Sequence, residues 1–288
     1  MIKKISAVII VLALALSACT INGYPISLNS ENITGSGTLV TENRTVSGFD
    51  KVDLKGLGNL TIEVGDKESL TVTADDNLID YITTEVFNDT LDIGIKPNLS
   101  LTPSRSIEYK LTVKDLSSIT LSGFGNINVG DLTSEDLEVK LSGSGDLNFS
   151  TLHAENALIR VSGFGNIDAD LMVIDQPNLE ITGSGDIKVE DLQAVTLEVK
   201  ISGFANADLE GATTDLNIEL LGSGNYRGGD MQSEDARVKI TGFGDATVWA
   251  TDNLDVTITG SGNVDYYGNP SLSQTLTGFG KINSRGEH

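Results

Sequence analysis

An all-β solenoid, a parallel β-helix with coils of about 20 residues, follows from three features of this 288-residue chain. A four-residue phrase, Gly-x-Gly-Asn/Asp, recurs at near-constant spacing. Between its copies, apolar and polar residues alternate with a period of two, which is the mark of half-buried strands. The composition also fits, with 31 glycines, 5 prolines and an aromatic content of only 5%. Many tight turns and few large rings suit a regular β architecture.

The repeat comes first. Its copies are Gly123-Phe124-Gly125-Asn126, Gly143-Ser144-Gly145-Asp146, Gly163-Phe164-Gly165-Asn166, Gly183-Ser184-Gly185-Asp186, Gly203-Phe204-Ala205-Asn206, Gly222-Ser223-Gly224-Asn225, Gly242-Phe243-Gly244-Asp245, Gly260-Ser261-Gly262-Asn263 and Gly278-Phe279-Gly280-Lys281. First glycines are 20, 20, 20, 20, 19, 20, 18 and 18 residues apart, and Phe and Ser alternate at the second position throughout. An outlying copy is Gly56-Leu57-Gly58-Asn59.

The strands follow. After Gly143, Leu147 and Phe149 alternate with Asn148 and Ser150, Leu152 marks a corner, and Ala157, Ile159 and Val161 alternate with Leu158, Arg160 and Ser162. About six apolar residues per coil cannot bury one another, so each coil must stack on its neighbours. With strands ~4.8 Å apart, nine coils span on the order of 40 Å. A propeller is the rival architecture, since Phe/Ser pairing gives a superperiod near 40 residues, but blades need more aromatic residues.

Glycine suits the corners because it tolerates positive φ. Asn or Asp beside it can bind turn amides and stack as a ladder. Alternation of Phe with Ser gives each ring about two strand spacings of room. This sequence reading leaves the rings' direction, inward or outward, open.

The N-terminus reads as a lipoprotein signal peptide over residues 1–18. Lys3 and Lys4 precede an apolar run at residues 5–16, and Leu16-Ser17-Ala18-Cys19 matches a lipobox. Cys19 is the only cysteine and the expected lipidation site. Its acyl chains would anchor the protein to a membrane. Thr20, rather than Asp, follows, which in the Gram-negative sorting scheme favours the outer membrane over inner-membrane retention. Residues 19–44 read as a polar tether, 45–283 as the β-helix domain and 284–288 as a frayed tail. Residues 46–119 are irregular coils that cap the solenoid, with a turn or loop near Leu78 and a long loop around Pro97 and Pro103. The net charge of -22 becomes -24 without the signal peptide, 17 basic against 41 acidic residues. Such a surface repels nucleic acid.

The sequence resembles the bacterial GIN-domain family of autotransporter adhesin heads. The residues that carry the likeness are the Gly-x-Gly-Asn repeats behind a lipobox, Thr45-Val46-Ser47-Gly48-Phe49-Asp50-Lys51-Val52, Thr73-Ala74-Asp75-Asp76-Asn77-Leu78 and Asp89-Thr90-Leu91-Asp92-Ile93. The likeness covers residues 45–283. It implies a right-handed β-helix on the cell envelope and supplies no catalytic residues. Two departures stand out. Ala205 replaces a glycine, which suggests a relaxed turn, and Lys281 replaces Asn/Asp, which suggests the end of the ladder.

Catalysis is not expected. His153 and His288 are the only histidines, and neither has a nucleophile partner in the pattern. Asp146, Asp186, Asp245 and Arg160 are the residues a polysaccharide-cleaving site would draw on, but each sits at a repeat position. Calcium would bind weakly, if at all, at Asp131, Glu135 and Asp136. No cofactor and no metal are expected. Lys140, Arg160, Glu180, Lys200, Glu219 and Lys239 each lie three residues before a repeat's first glycine and should share one outward face. Trp249, Tyr266 and Tyr267 read as caps over the last coils or as a binding patch. The expected role is an envelope or surface interaction module, with a glycan or protein as ligand and the membrane reached through the lipid. The alternatives are a passive periplasm-facing lipoprotein and a polysaccharide-binding or polysaccharide-cleaving protein.

Overall fold

The computed structural model describes residues 20–21, 24–25 and 30–288. Cys19 and the expected signal peptide lie outside the described residues. The chain forms a parallel β-solenoid of about eight turns with spacing near 20 residues, as the repeat implies.

The regular coils are β13 (Ile127–Leu141), β14 (Leu147–Val161), β15 (Ile167–Ile181), β16 (Ile187–Ile201), β17 (Asn206–Leu220), β18 (Asn225–Ile240) and β19 (Ala246–Ile258). Each pairs in parallel with the next. Between β13 and β14 the register is a uniform 20 residues, with Ile127 on Leu147 and Leu141 on Val161. Pairing skips Gly130/Ser150 and Glu135/Glu155, where the strands bend. A coil thus has three faces, 127–129, 131–134 and 136–141, closed by the glycine turn.

Each bend resets the alternation. Ile127, Val129, Leu132, Leu137, Val139 and Leu141 all point inward and are buried. Their counterparts Leu147, Phe149, Leu152, Ala157, Ile159 and Val161 stack on them. Burying a Val, Leu or Ile side chain contributes about 1.5–3 kcal/mol, whereas a backbone or side-chain hydrogen bond nets about 1 kcal/mol. The column of apolar side chains therefore supplies the stability, and the hydrogen bonds set the register.

The N-terminal end departs from the parallel pattern. β5 (Lys51–Leu54) stacks between β9 (Thr90–Ile95) and β12 (Ser118–Leu121). β6 (Asn59–Val64) stacks between β11 (Glu108–Val113) and β13. Beyond them the strands turn antiparallel: β7 (Ser69–Asp75) on β11, β4 (Leu39–Arg44) on β7, and β8 (Ile82–Phe87) on β9. A 3₁₀ turn occupies Ile79–Tyr81.

Three expectations need correction. The tether is shorter than residues 19–44, because β3 (Glu31–Thr34) pairs with β10 (Leu99–Thr102) and β4 with β7. β4 covers the free edge of β7, where unpaired backbone is a liability, and β3 with β10 forms a separate two-stranded sheet. β10 also lies inside the expected loop between Pro97 and Pro103. The tail at 284–288 is docked, not frayed. The Arg285 N–H donates to the Tyr266 carbonyl at 2.8 Å, and the Gly268 N–H donates to the Gly286 carbonyl at 2.9 Å. The His288 ring stacks on Trp249 at 4.1 Å and meets Tyr267 edge-on at 5.2 Å. His288 Nε2 lies 2.9 Å from Asp230 Oδ1.

Candidate interaction surface

The glycine turn forms one corner of every coil. The N–H of its tip residue donates to the first-glycine carbonyl of the coil before: Ser144 to Gly123 at 3.0 Å, Phe164 to Gly143 at 3.1 Å, Ser184 to Gly163 at 3.2 Å. That carbonyl oxygen occupies the space a Cβ would need on the next first glycine, so a side chain at Gly143 would collide with Gly123 O. The same holds for the second glycines, where a Cβ at Gly165 would meet Gly145 O. Positive φ is a feature of Gly125 (149°) and Gly145 (141°). Close stacking of backbones, more than positive φ, is what the copies share.

Beside the tip runs a ladder of side-chain oxygens. Asn126 Oδ1 accepts the Asp146 N–H (2.9 Å), Asp146 Oδ1 accepts the Asn166 N–H (3.0 Å), and Asn166 Oδ1 accepts the Asp186 N–H (3.0 Å). Asp186 Oδ1 accepts the Asn206 N–H at 2.6 Å. From Asn206 to Asn225 the rung runs between side chains, Asn225 Nδ2 to Asn206 Oδ1 at 2.9 Å. It resumes through Asn225, Asp245 and Asn263 to the Lys281 N–H. Lys281 ends the described ladder as a donor, its N–H reaching Asn263 Oδ1 at 3.1 Å. At Ala205 the next coil shortens to 19 residues and the alanine is fully buried. Asp146, Asp186 and Asp245 are therefore engaged with backbone amides of neighbouring coils.

The tips themselves point outward. Phe124, Phe164, Phe204, Phe243 and Phe279 are between 70% and 92% exposed. Ser144, Ser184, Ser223 and Ser261 separate them. The direction that the sequence left open is outward, with each ring two coils from the next. Ser122, Ser142, Ser162, Thr182, Ser202, Thr241, Thr259 and Thr277 stand just before these turns, so uncharged hydroxyls border the ridge.

On the third face the expected charged residues come together. Glu138 contacts Lys140 (2.8 Å) and Arg160 (2.9 Å), and Arg160 reaches Glu180 (2.7 Å). Glu219 bridges Lys200 (3.7 Å) and Lys239 (2.7 Å). The Lys239 hydrogen bond holds the Glu219 carboxyl below its usual range. All are part-exposed, and such pairs contribute a few tenths of a kcal/mol.

Other candidates fall elsewhere. His153 lines an open groove of about 970 Å³ with Asp50, Asp115, Glu135, Asp136 and Asp175. Among the described residues no three His, Cys, Asp or Glu side chains converge as a metal site, Asp131, Glu135 and Asp136 included. Trp249 and Tyr267 hold the C-terminal tail through His288. Asp75 was not a candidate. Its buried carboxylate accepts the Gly37 N–H (2.8 Å), the Ser104 N–H (2.8 Å) and the Ser104 hydroxyl (2.6 Å), tying the N-terminal cap together. The family-like segment 73–78 contains it, but its role was not readable there, since its partners are 38 and 29 residues away.

Comparison with known proteins agrees with this architecture. A family model described as "Putative auto-transporter adhesin, head GIN domain" matches residues 48–171 and 171–270. A crystal structure called a putative adhesin, from Parabacteroides distasonis, is 24% identical, with 88% of this chain and 100% of that chain covered and a TM-score of 0.63. A putative adhesin from Parabacteroides merdae is 23% identical over 88% and 99%, with a TM-score of 0.66. A "putative lipid binding protein" from Parabacteroides distasonis is 28% identical over 88% and 99%, with a TM-score of 0.68. Among curated proteins nothing matches. With two adjoining matches spanning most of its length, the chain belongs to the GIN-domain family of putative auto-transporter adhesin heads.

Proposed function

We propose that this protein is a non-catalytic interaction module of the bacterial envelope, tethered through a lipid on Cys19, that makes contacts along the outward ridge of its solenoid. The row of exposed phenylalanines carries this reading. Five large rings held in solvent bring no stability to the monomer, and exposed apolar patches mark interaction sites. A rigid stack of coils displays them at fixed intervals, so the scaffold pre-organises its contact surface. Family membership points the same way, toward adhesion. The chain's acidity disfavours nucleic acid and anionic headgroups as ligands.

Intact cells bearing the protein test this. Added protease should degrade it without lysis, and Cys19→Ala should release it from the membrane fraction. Cells carrying Phe164→Ser/Phe204→Ser/Phe243→Ser should attach less well to glycan or matrix surfaces, or to one another, than cells carrying the parent. Full protection from protease would place the chain facing inward and defeat the surface role. The name of one relative adds vesicles of neutral lipid to the ligands worth testing.

A further inference from the structure

The ridge alternates Phe with Ser although nothing inside one chain requires it. Aromatic rings stack on successive strands at a single ~4.8 Å spacing in cross-β ladders, so a phenylalanine on every coil would fit. Skipping a coil leaves successive rings roughly 10 Å apart with a serine between them. A third ring placed in that slot would sit ~5 Å from each neighbour, inside the 4.5–7 Å centroid range preferred by aromatic pairs. The slot thus has the size of the group that flanks it.

We propose that the ridge binds the ridge of a second copy of this chain, phenylalanines into serine slots, as an isologous two-fold zipper. The order of tips permits it. Laid antiparallel with an offset of one coil, Phe204 faces Ser223, Phe164 faces Ser261, Phe243 faces Ser184 and Phe279 faces Ser144. Each pairing is reciprocal, as a two-fold interface demands, and the contact closes at two copies. The area is adequate. The four paired rings, of roughly 150–250 Å² each and mostly exposed, offer on the order of 600 Å² per copy, within reach of the ~800 Å² per partner of a standard interface once the flanking residues are added. Hydroxyl-bearing residues before the turns leave one flank of the ridge uncharged, while Asp146, Asp186 and Asp245 of the ladder charge the other. The overall charge of -22 opposes approach, so screening by salt should strengthen association. This partner assignment rests on the ridge being the contact surface of the interaction module.

The test uses the full-length chain in its own cells, with an azide-bearing phenylalanine at position 204 for photo-crosslinking. The expected product is an adduct of twice the monomer mass. Two variants then separate the explanations. Ser184→Phe/Ser223→Phe fills slots while adding apolar surface, and should reduce the adduct by about tenfold or more, the scale of a lost interface anchor. A lipid or glycan ligand would instead gain affinity from the added rings. Phe164→Ser/Phe243→Ser removes only solvent-exposed rings and should reduce the adduct similarly, with circular dichroism confirming an intact fold. No two-copy adduct in the parent, crosslinking to lipid or polysaccharide alone, or an adduct undiminished by filling the slots would overturn the zipper. Loss of cell attachment in the Phe→Ser variant without any two-copy adduct would leave the interaction role standing and remove only the second copy. A two-copy adduct in cells whose attachment is indifferent to the ridge would do the reverse.

Discussion

Asp146 Oδ1 accepts the backbone N–H of Asn166 at 3.0 Å, one coil further along the chain, and Asp186 does the same for Asn206 at 2.6 Å. Side chain and amide are related by the solenoid's own repeat, so each rung fixes the register of the next coil. Asp186 also accepts the Asn206 side-chain amide at 3.1 Å. Asp186→Ala should therefore cost about 1–3 kcal/mol, since it leaves donors without their acceptor. Asp186→Asn, which keeps an oxygen, should cost less. Denaturant midpoints for the two variants decide the matter, and equal losses would show that the oxygen is not the relevant feature.

The glycines make a sharper demand. A Cβ at Gly165 would run into the Gly145 carbonyl oxygen, which is backbone and cannot swing aside. Gly165→Ala should destabilise by at least ~2 kcal/mol, in the range of overpacked cores, and should open the stack locally. Limited proteolysis ought to nick near residue 165 in the variant and not in the parent. Ala205 is the one second-glycine position among these copies that carries a Cβ, fully buried at the usual 20-residue step from Gly185; the coil loses its residue only further on, between the Val189/Leu209 and Leu192/Gly211 pairs.

Much of this was legible because coil, strand and turn repeat together. Alternation at Ala157, Ile159 and Val161 names the inward face, and spacing from Gly143 to Gly163 names the coil. Phe164 was not legible, because its position at the turn interrupts the period-two pattern that assigns faces elsewhere. The strand at residues 39–44 that extends the N-terminal cap was hidden for another reason. Leu39 pairs with Asp75 antiparallel, across 36 residues and with no repeat to announce it. The docked tail was hidden too, since its stacking of His288 on Trp249 joins residues 39 apart.

The cap gives a pH dependence. The Ser104 hydroxyl and N–H, together with the Gly37 N–H, hold the Asp75 carboxyl below its ordinary value. A depressed folded-state pKa stabilises the fold above the unfolded value of ~3.9, and that stabilisation is lost as pH falls through the folded value. The melting temperature of the parent should therefore drop more steeply below pH ~4 than that of Asp75→Asn, which has no charge to lose. At neutral pH the variant should melt lower. Parallel pH profiles for the two proteins would exclude Asp75 as the titrating group.

Inside the solenoid, Tyr226 occupies a column between Ala207 and Ala246, whose small side chains leave room for its ring. It is fully buried, and burial pushes its hydroxyl pKa up. The ring extends over Gly228, where a Cβ would strike the hydroxyl oxygen. That oxygen has no hydrogen-bond partner among the described residues. Removing an unpaired buried hydroxyl while keeping the ring should be neutral or stabilising by up to ~1 kcal/mol. Removing the ring should cost about 3–5 kcal/mol, because a cavity replaces it. Tyr226→Phe is thus expected to melt at or above the parent temperature, and Tyr226→Ala far below it. A marked loss in Tyr226→Phe would mean that the hydroxyl is bonded within the folded protein.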